Sequence, residues 1–324
     1  MIDRMTISSH SPVRIHERLA AHLRIIRLDH SIKQIFIIPG IVLAMAISGT
    51  SLSSRLLVRI VVGLVASTLI ACSNYVINEI LDAPYDLLHP TKRNRPAVRG
   101  LIHIGWGYTQ WIMMMLAGLA LARLLGRGFF LSAAALWIMG AVYNIRPIRS
   151  KDLPYIDVLS ESINNPLRFC LGWYSVVTVL LPPTSMLISY WMLGCYFMSL
   201  KRFSEFRQIA DPVTAASYRR SFAYYSEESL LNSAMFYASA CMLFFGAFMM
   251  RYRIELVLSF PFIAWLMSVY FGLSFQHDSA VQNPEKLYRE PRLMISLCFC
   301  VALTVLLLFI NIPWLETMFP KTTP

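Results

Sequence analysis

The chain has 324 residues, 56% apolar and only 15% charged, with mean hydropathy +0.55 and a formal net charge of +11. An ordinary soluble domain is nearer a quarter charged, and a water-exposed fold of this length has no means of hiding so much apolar surface. The composition therefore excludes a disordered chain, a collagen-like chain and a cytosolic enzyme, gives no reason to expect a nucleic-acid partner, and indicates a polytopic membrane protein.

In chain order, residues 1–33 come first. They carry Arg4, Arg14, Arg18, Arg24, Arg27 and Lys33, with no apolar core and hence no signal peptide. Runs of roughly the ~20-residue spanning length follow at 34–50, 56–78, 104–124, 129–145, 156–176, 183–200, 230–250, 254–273 and 293–313. They lack barrel alternation, so the fold predicted is all-α: one membrane domain over 1–324, a bundle of about nine transmembrane helices. The loops 79–103 and 201–229 are the longest and are expected to carry the active site. The six cysteines sit in apolar stretches without metal-ligand spacing and read as small buried residues rather than disulfides. Trp106, Tyr108 and Trp314 fall near span ends, as interfacial anchors do.

Of the 29 Lys/Arg, 21 fall before the first span or in alternate loops, seven on the opposite side, and Arg168 lies within the fifth run. By the positive-inside rule the N-terminus is cytoplasmic and the C-terminus outside, in the cell inner membrane. Of the 18 acidic residues only Glu255 and Glu316 fall on the outer side. Charges of both signs at one face suggest a polar chamber for a charged substrate.

The end of the second run supplies the chemistry. Asn78, Asp82 and Asp86 are spaced i, i+4, i+8 and share a helix face, with Glu79 beside them. Four oxygen-bearing side chains at the end of a spanning helix are costly unless something binds them. A hard divalent cation removes that cost, and Mg²⁺ is typically shared with substrate phosphates. Pro84 is expected to bend or end the helix near Asp82, placing Asp86 on a turn. Then comes His89-Pro90-Thr91-Lys92-Arg93-Asn94-Arg95-Pro96, where Lys92 and Arg95 put cations next to the carboxylates. Metal on one side and Lys/Arg donors on the other suit a diphosphate.

The run Asn78-Glu79-x-x-Asp82-x-x-x-Asp86, with the following His-Pro-x-Lys-x-x-Arg-Pro and the opening Arg24–Lys33 segment, resembles the UbiA-type intramembrane transferases. Glu79 stands where that motif usually has Asp, which keeps the charge and lengthens the arm. The resemblance implies nine spans and catalysis at the cytoplasmic loops.

Members that transfer prenyl groups carry a second aspartate-rich motif in loop 6–7. Here that loop is basic and aromatic, with Lys201, Arg202, Glu205, Arg219, Arg220, Tyr224 and Tyr225. The nearest second acidic pair is Asp157 and Glu161, i, i+4, with Arg168 roughly two turns on and near that face. Tyr143-Asn144-x-Arg146, Leu153-Pro154-Tyr155-Ile156-Asp157-Val158, Leu167-Arg168, Lys201-Arg202-Phe203-Ser204-Glu205, Tyr218-Arg219-x-Ser221 and Tyr224-Tyr225-Ser226 resemble a narrower branch, the decaprenyl-phosphate phosphoribosyltransferases. Asn164-Asn165-Pro166 departs from it by interrupting the fifth run.

The branch implies transfer of 5-phosphoribose from phosphoribosyl diphosphate to a polyprenyl phosphate. Asn78, Glu79, Asp82 and Asp86 would hold Mg²⁺. Lys92, Arg95, Lys201 and Arg202 would bind phosphate oxygens, with Tyr143 and Lys151 as donors at the rim and Arg168 and Glu205 also toward substrate. Asp82, Asp86, Asp157 and Glu161 are the expected catalytic carboxylates. The alternative is a UbiA-type prenyltransferase acting on an aromatic or other small acceptor with the same metal. A homo-oligomer is compatible with either.

Overall fold

Lipid offers the backbone no hydrogen-bond partner, so segments that cross it satisfy their own N–H and C=O groups. The computed structural model describes residues 15–87, 92–209, 211, 214, 216, 219–282 and 284–319, and every regular element among them is helical. Arg4, Arg14, His89, Pro90, Thr91, Tyr218 and Lys321, and the side chains of Lys286 and Glu316, lie outside the described residues.

A short helix α1 (Ile15–Arg24) and a 3-10 segment (Leu28–Ile37) lead into α2 (Ile38–Ser48) and the long α3 (Ser54–Asp86). Next come α4 (Ile104–Leu125), α5 (Arg127–Asn144), α6 (Ile156–Ser162), α7 (Asn164–Val176) and α8 (Thr184–Ile209). The chain finishes with α9 (Glu227–Tyr252), α10 (Phe260–Leu273), α11 (Pro291–Phe309) and α12 (Pro313–Met318). Side-chain caps set several starts: Ser53 accepts from the Leu56 N–H at 3.2 Å, His103 from that of Trp106 at 3.4 Å, and Ser226 and Ser229 form a reciprocal capping box.

Six segments are long and apolar enough to cross a membrane: 15–48, 54–86, 104–125, 227–252, 254–273 and 291–309. They coincide with six of the predicted runs. The other three runs are the helices α5, α6–α7 and α8; α6 and α7 are each too short to span alone, α5 opens on Arg127, and α8 ends in the polar run that holds Lys201, Arg202 and Glu205.

Three expectations are corrected, and the expected interruption of the fifth run at Asn164-Asn165-Pro166 is found. The first run is only partly α-helical, its first four residues belonging to the 3-10 segment that precedes α2. Helix α3 continues through Pro84 to Asp86, so Asp86 is helical and not on a turn. With two helical residues left after it, Pro84 costs the helix a single hydrogen bond. The run 156–176 is broken at Ile163, just ahead of Asn164-Asn165-Pro166, where Pro166 can sit because the first four N–H groups of α7 need no intrahelical acceptor. Helix α8 extends to Ile209, so Lys201, Arg202 and Glu205 are helical rather than in the loop.

Two glycines bring backbones together. A Cβ at Gly40 would lie 2.0 Å from the Phe169 carbonyl oxygen, and one at Gly172 would lie 2.1 Å from that of Ile37. Small residues at such contacts are how helices approach closely in lipid. Phe169, Trp173, Tyr190, Phe245 and Phe248 then build a core across α2, α7, α8 and α9. Leu57, Val58, Val61, Ile138 and Leu243 point outward, as lipid-facing residues do.

The bundle has two unlike ends. At one, Arg59 donates to the carbonyls of Leu125 and Ser175 at 3.0 Å each, at the C-termini of α4 and α7, and Arg253 donates to that of Leu308 near the end of α11. Cations suit those carbonyls, which have no intrahelical donor. The other end gathers the C-termini of α3, α5 and α8.

Candidate active site

Helix α3 delivers its carboxylates to that second end, where three loops meet them. Asp82 Oδ1 accepts from Lys151 Nζ at 2.5 Å and from Arg149 Nη2 at 3.0 Å. Lys151 also donates to Asn144 Oδ1 at 2.8 Å, and the same oxygen receives Asn78 Nδ2 at 2.5 Å. Asp86, one turn on, pairs with Arg95 at 2.5 Å. The first constellation is therefore assembled, but each aspartate holds a cation from a different loop.

Arg149 is held unusually. Its backbone is left-handed, φ 32°, which a non-glycine residue adopts at a local cost that surrounding contacts must offset. Those contacts are Asp82, Asp152 at 3.1 Å, the Asn144 carbonyl at 3.3 Å, and the Tyr85 ring 4.6 Å below the guanidinium. Arg146 in turn donates to the Tyr85 hydroxyl at 2.7 Å.

A second centre is built on Asp157, which is fully buried. Its oxygens accept from Tyr225 at 2.6 Å, Arg202 Nε at 3.2 Å and Ser221 at 3.3 Å, with Arg219 at 3.8 Å. Arg202 also pairs with Glu205 at 2.9 Å and donates to the Tyr143 hydroxyl at 3.4 Å. The Tyr225 hydroxyl receives the N–H of Tyr155, another left-handed residue at φ 63°. Asp157 thus ties α6, α8 and the 219–225 segment together.

Neither Glu161 nor Arg168 makes an ion pair with a described residue, although Glu161 is close enough to Tyr143 for its charge to act there beside those of Asp157 and Arg202. Arg168 is buried on α7, with its Nε lacking any hydrogen-bond partner. Asp157 and Glu161 lie on α6 and Arg168 on α7, the two helices meeting at Ile163. Lys92 belongs with the chamber cations, close enough to Glu205, Arg219 and Arg95 to feel their charges. Burial brings the ammonium groups of Lys92 and Lys151 down to about 8, against the opposing pull of Glu205 and Asp82.

The donor set fits a hard cation by its chemistry. Asn78, Glu79, Asp82 and Asp86 offer only oxygen to a metal, and the buried Glu79 Oε1 has no hydrogen-bond partner. Among the described residues no three His, Cys, Asp or Glu side chains converge to enclose an ion. The ion suited to such a half-built shell is one that keeps water or substrate oxygens, as Mg²⁺ does.

Sequence reasoning singles out Lys151 but misses Arg149 two residues before it, and Asn144, the acceptor linking Asn78 to Lys151. It notes Arg219, Ser221 and Tyr225 as a pattern without assigning them to Asp157. Arg27 and Lys33 it reads as topology charges within the segment that resembles the family, without giving them a role in the site.

A family model described as the UbiA prenyltransferase family matches residues 36–289, most of the chain and all of α3 through α10. This chain belongs to the UbiA prenyltransferase family. Its fold is similar to that of a UbiA homologue from Archaeoglobus fulgidus solved with GPP and Mg²⁺, with TM-score 0.67 and 20% identity over 90% of this chain and 100% of that one. The same homologue solved with DMAPP and Mg²⁺ gives 0.67 and 19%. A structure reported for digeranylgeranylglyceryl phosphate synthase in membranes gives TM-score 0.61 and 15% identity, covering 90% of this chain and 98% of that one. This UbiA family chain also matches an uncharacterized protein, y4nM, of Sinorhizobium fredii, at 30% identity over 110 residues, 34% of this chain. The match spans only about a fifth of that curated relative's length, 21%.

Proposed function

We propose that this UbiA family protein transfers 5-phosphoribose from phosphoribosyl diphosphate to a polyprenyl phosphate, at the cytoplasmic face of the inner membrane. The observation that carries this reading is the charge of the chamber. Lys92, Arg95, Arg149, Lys151, Lys201, Arg202 and Arg219 surround it, and the α8 end that could hold a second acidic motif presents Lys201 and Arg202 with Glu205 alone. A donor carrying a 5-phosphate as well as a diphosphate needs more cations than a prenyl diphosphate does.

Asn78, Glu79, Asp82 and Asp86 would hold Mg²⁺, which supplies charge neutralisation to a departing diphosphate. Arg95, Arg149 and Lys151, now paired with those aspartates, are placed to exchange carboxylate for phosphate oxygens as the donor enters. Carbon 1 of the ribose develops positive charge as the diphosphate leaves. The lipid phosphate is ionised near neutral pH and attacks without a dedicated base. Asp157 acts as a positioning residue, orienting Arg202, Arg219 and Tyr225. Glu161, half-buried and without an ion pair, is available to the ribose hydroxyls, and Arg168 to the acceptor deeper in the bundle.

A second reading is favoured by the relatives of known structure that hold GPP or DMAPP with Mg²⁺: transfer of a prenyl group from its diphosphate to a small acceptor. Both readings share the metal-bound diphosphate. One assay separates them. Purified protein with Mg²⁺, radiolabelled phosphoribosyl diphosphate and a polyprenyl phosphate should move label into the organic phase, and EDTA should stop it. Donor that fails to bind, with geranyl diphosphate binding in its place, moves the assignment to prenyl transfer.

A further inference from the structure

Helix α1 is built unlike the spans that follow it. Ile15, Leu19 and Leu23 are spaced i, i+4, i+8 and share one face, where they are 80%, 52% and 68% exposed. Ala21, and Ile25 just past the helix end, are spaced i, i+4 on a second face and are buried. His16, Glu17 and Arg24 occupy the remaining, polar side and are exposed, with Arg18 bordering the apolar row. Ten residues holding Glu17, Arg18 and Arg24 are too costly to place in hydrocarbon, although the stretch 15–48 is long enough to cross it. Arg27, with φ 55°, separates α1 from the 3-10 segment, so that stretch is not one continuous helix.

One residue fastens α1 to a membrane span. His22 Nδ1 donates to Gln110 Oε1 at 3.3 Å, its Nε2 accepts the backbone N–H of His103 at 3.3 Å, and its carbonyl accepts from Gln110 Nε2 at 3.1 Å. The Trp106 ring stands 6.3 Å from the His22 ring. His103 caps α4, so α1 is held at the first turns of that span. This is the chamber end of the bundle, because α4 begins where the loop that brings Arg95 to Asp86 finishes. It is also the level at which a span leaves the lipid. Ile104 and Trp106, beside the latch, are exposed, and Trp is a residue that settles at this boundary. The apolar row of α1, next to His22 around the helix, therefore adjoins the lipid-facing surface of α4.

We infer that α1 lies flat in the bilayer interface on the chamber side, with Ile15, Leu19 and Leu23 set among the outermost acyl carbons and Arg18 and Arg24 at the level of the lipid phosphates. An apolar row with a charged face opposite is the pattern of helices that lie in that plane. Arginine suits the position because its stem runs along apolar surface while its guanidinium stays with the headgroups. From Met1 to Arg27 the sequence has five Arg against Asp3 and Glu17, a balance that favours a phosphate-bearing surface. The partner is the lipid bilayer itself, and the inference holds whichever group the chamber transfers.

The test uses the full chain with Cys298→Ala, which removes the exposed cysteine, reconstituted in phosphatidylcholine–phosphatidylglycerol vesicles. An environment-sensitive fluorophore is attached in turn at Leu19→Cys, Leu23→Cys and His16→Cys, all at exposed positions where a label is tolerated. The quenchers are iodide, present on both sides of the membrane, and lipids spin-labelled either near the headgroup or near the chain end. Labels at Leu19 and Leu23 should lie about 5–10 Å below the headgroups, be quenched most by the spin label near the headgroup, and show iodide quenching about fivefold weaker than at His16. Equal iodide quenching at all three positions overturns the inference and leaves α1 in water. Strong quenching of all three by the chain-end spin label overturns it by making α1 part of the first span. Labels at Leu19 and Leu23 shielded from iodide and from both lipid quenchers overturn it in favour of cover by protein, a second copy of the chain being the source in vesicles of purified protein.

Discussion

Asp82 is the residue on which the chamber converges, since a helix from one part of the chain and two cations from a loop 67 and 69 positions away meet at one oxygen. Asp82→Asn should lower turnover by about 10²–10³-fold, the usual cost of removing one preorganised charge-stabilising group, as read by label transfer in membranes containing equal protein. Lys92 gives a pH dependence. Burial holds its ammonium at about 8 in the folded protein. Donor affinity should fall as pH rises through that value, because the neutral amine no longer attracts phosphate. Its contribution to stability runs the other way. From about pH 8 up to the ordinary lysine range the unfolded chain binds more protons, so unfolding becomes harder as pH rises. Lys92→Arg should reduce both effects, leaving the part that Lys151 contributes over the same range, measured by donor titration and by chemical denaturation across pH 7–10. At this scale the carboxylates are legible in the sequence because i, i+4 spacing fixes a face on any helix. Arg149 is not, because a left-handed backbone and a long loop bring it to Asp82.

Elements show where local rules reach their limit. Six predicted spans stand as single apolar segments, since twenty apolar residues have few other fates. The three that differ, α5, α6–α7 and α8, carry the chemistry, and polar residues that serve a chamber dilute the hydropathy that would announce a span. The break at Ile163 follows from Asn164-Asn165-Pro166, but the burial of Arg168 with an unpartnered Nε depends on the packing of α7 on other helices. Asp157 joins α6 to α8 through a buried ion pair. Asp157→Asn should destabilise the fold by about 1–3 kcal/mol, because Arg202, Arg219 and Tyr225 lose a buried carboxylate while Arg202 keeps Glu205, and thermal unfolding in detergent would register it. Gly172→Ala should cost at least about 1–3 kcal/mol, since its methyl would meet the Ile37 backbone carbonyl, which cannot rotate away. An unchanged unfolding temperature in the Gly172→Ala variant would mean that α2 and α7 separate freely.

The whole molecule is an asymmetric object, with acids and most cations at one end. The alternation of charge along the sequence implies this, and the hydrogen bonds place Asp82, Asp86, Asp157 and their partners together there. Single cysteines placed at Arg93 and at Ser51, both exposed, should therefore react with a membrane-impermeant thiol reagent from opposite sides, Arg93→Cys from the cytoplasmic one. Labelling of both from one side would mean that α3 does not span the membrane, and labelling with the two sides exchanged would reverse its topology.

Arg59 and Arg253 add a direction to that asymmetry. Their charge is absorbed by the carbonyls of Leu125, Ser175 and Leu308, while Arg55, Arg123, Arg127 and Arg251 are spread over an exposed rim. A polyanion approaching from that end meets cations that are dispersed or already engaged by carbonyls, and no acidic cluster among the described residues to share a metal with it. Turnover should then be vectorial: in sealed proteoliposomes of uniform orientation, donor supplied to the chamber side is consumed, and the same donor trapped in the opposite compartment stays intact.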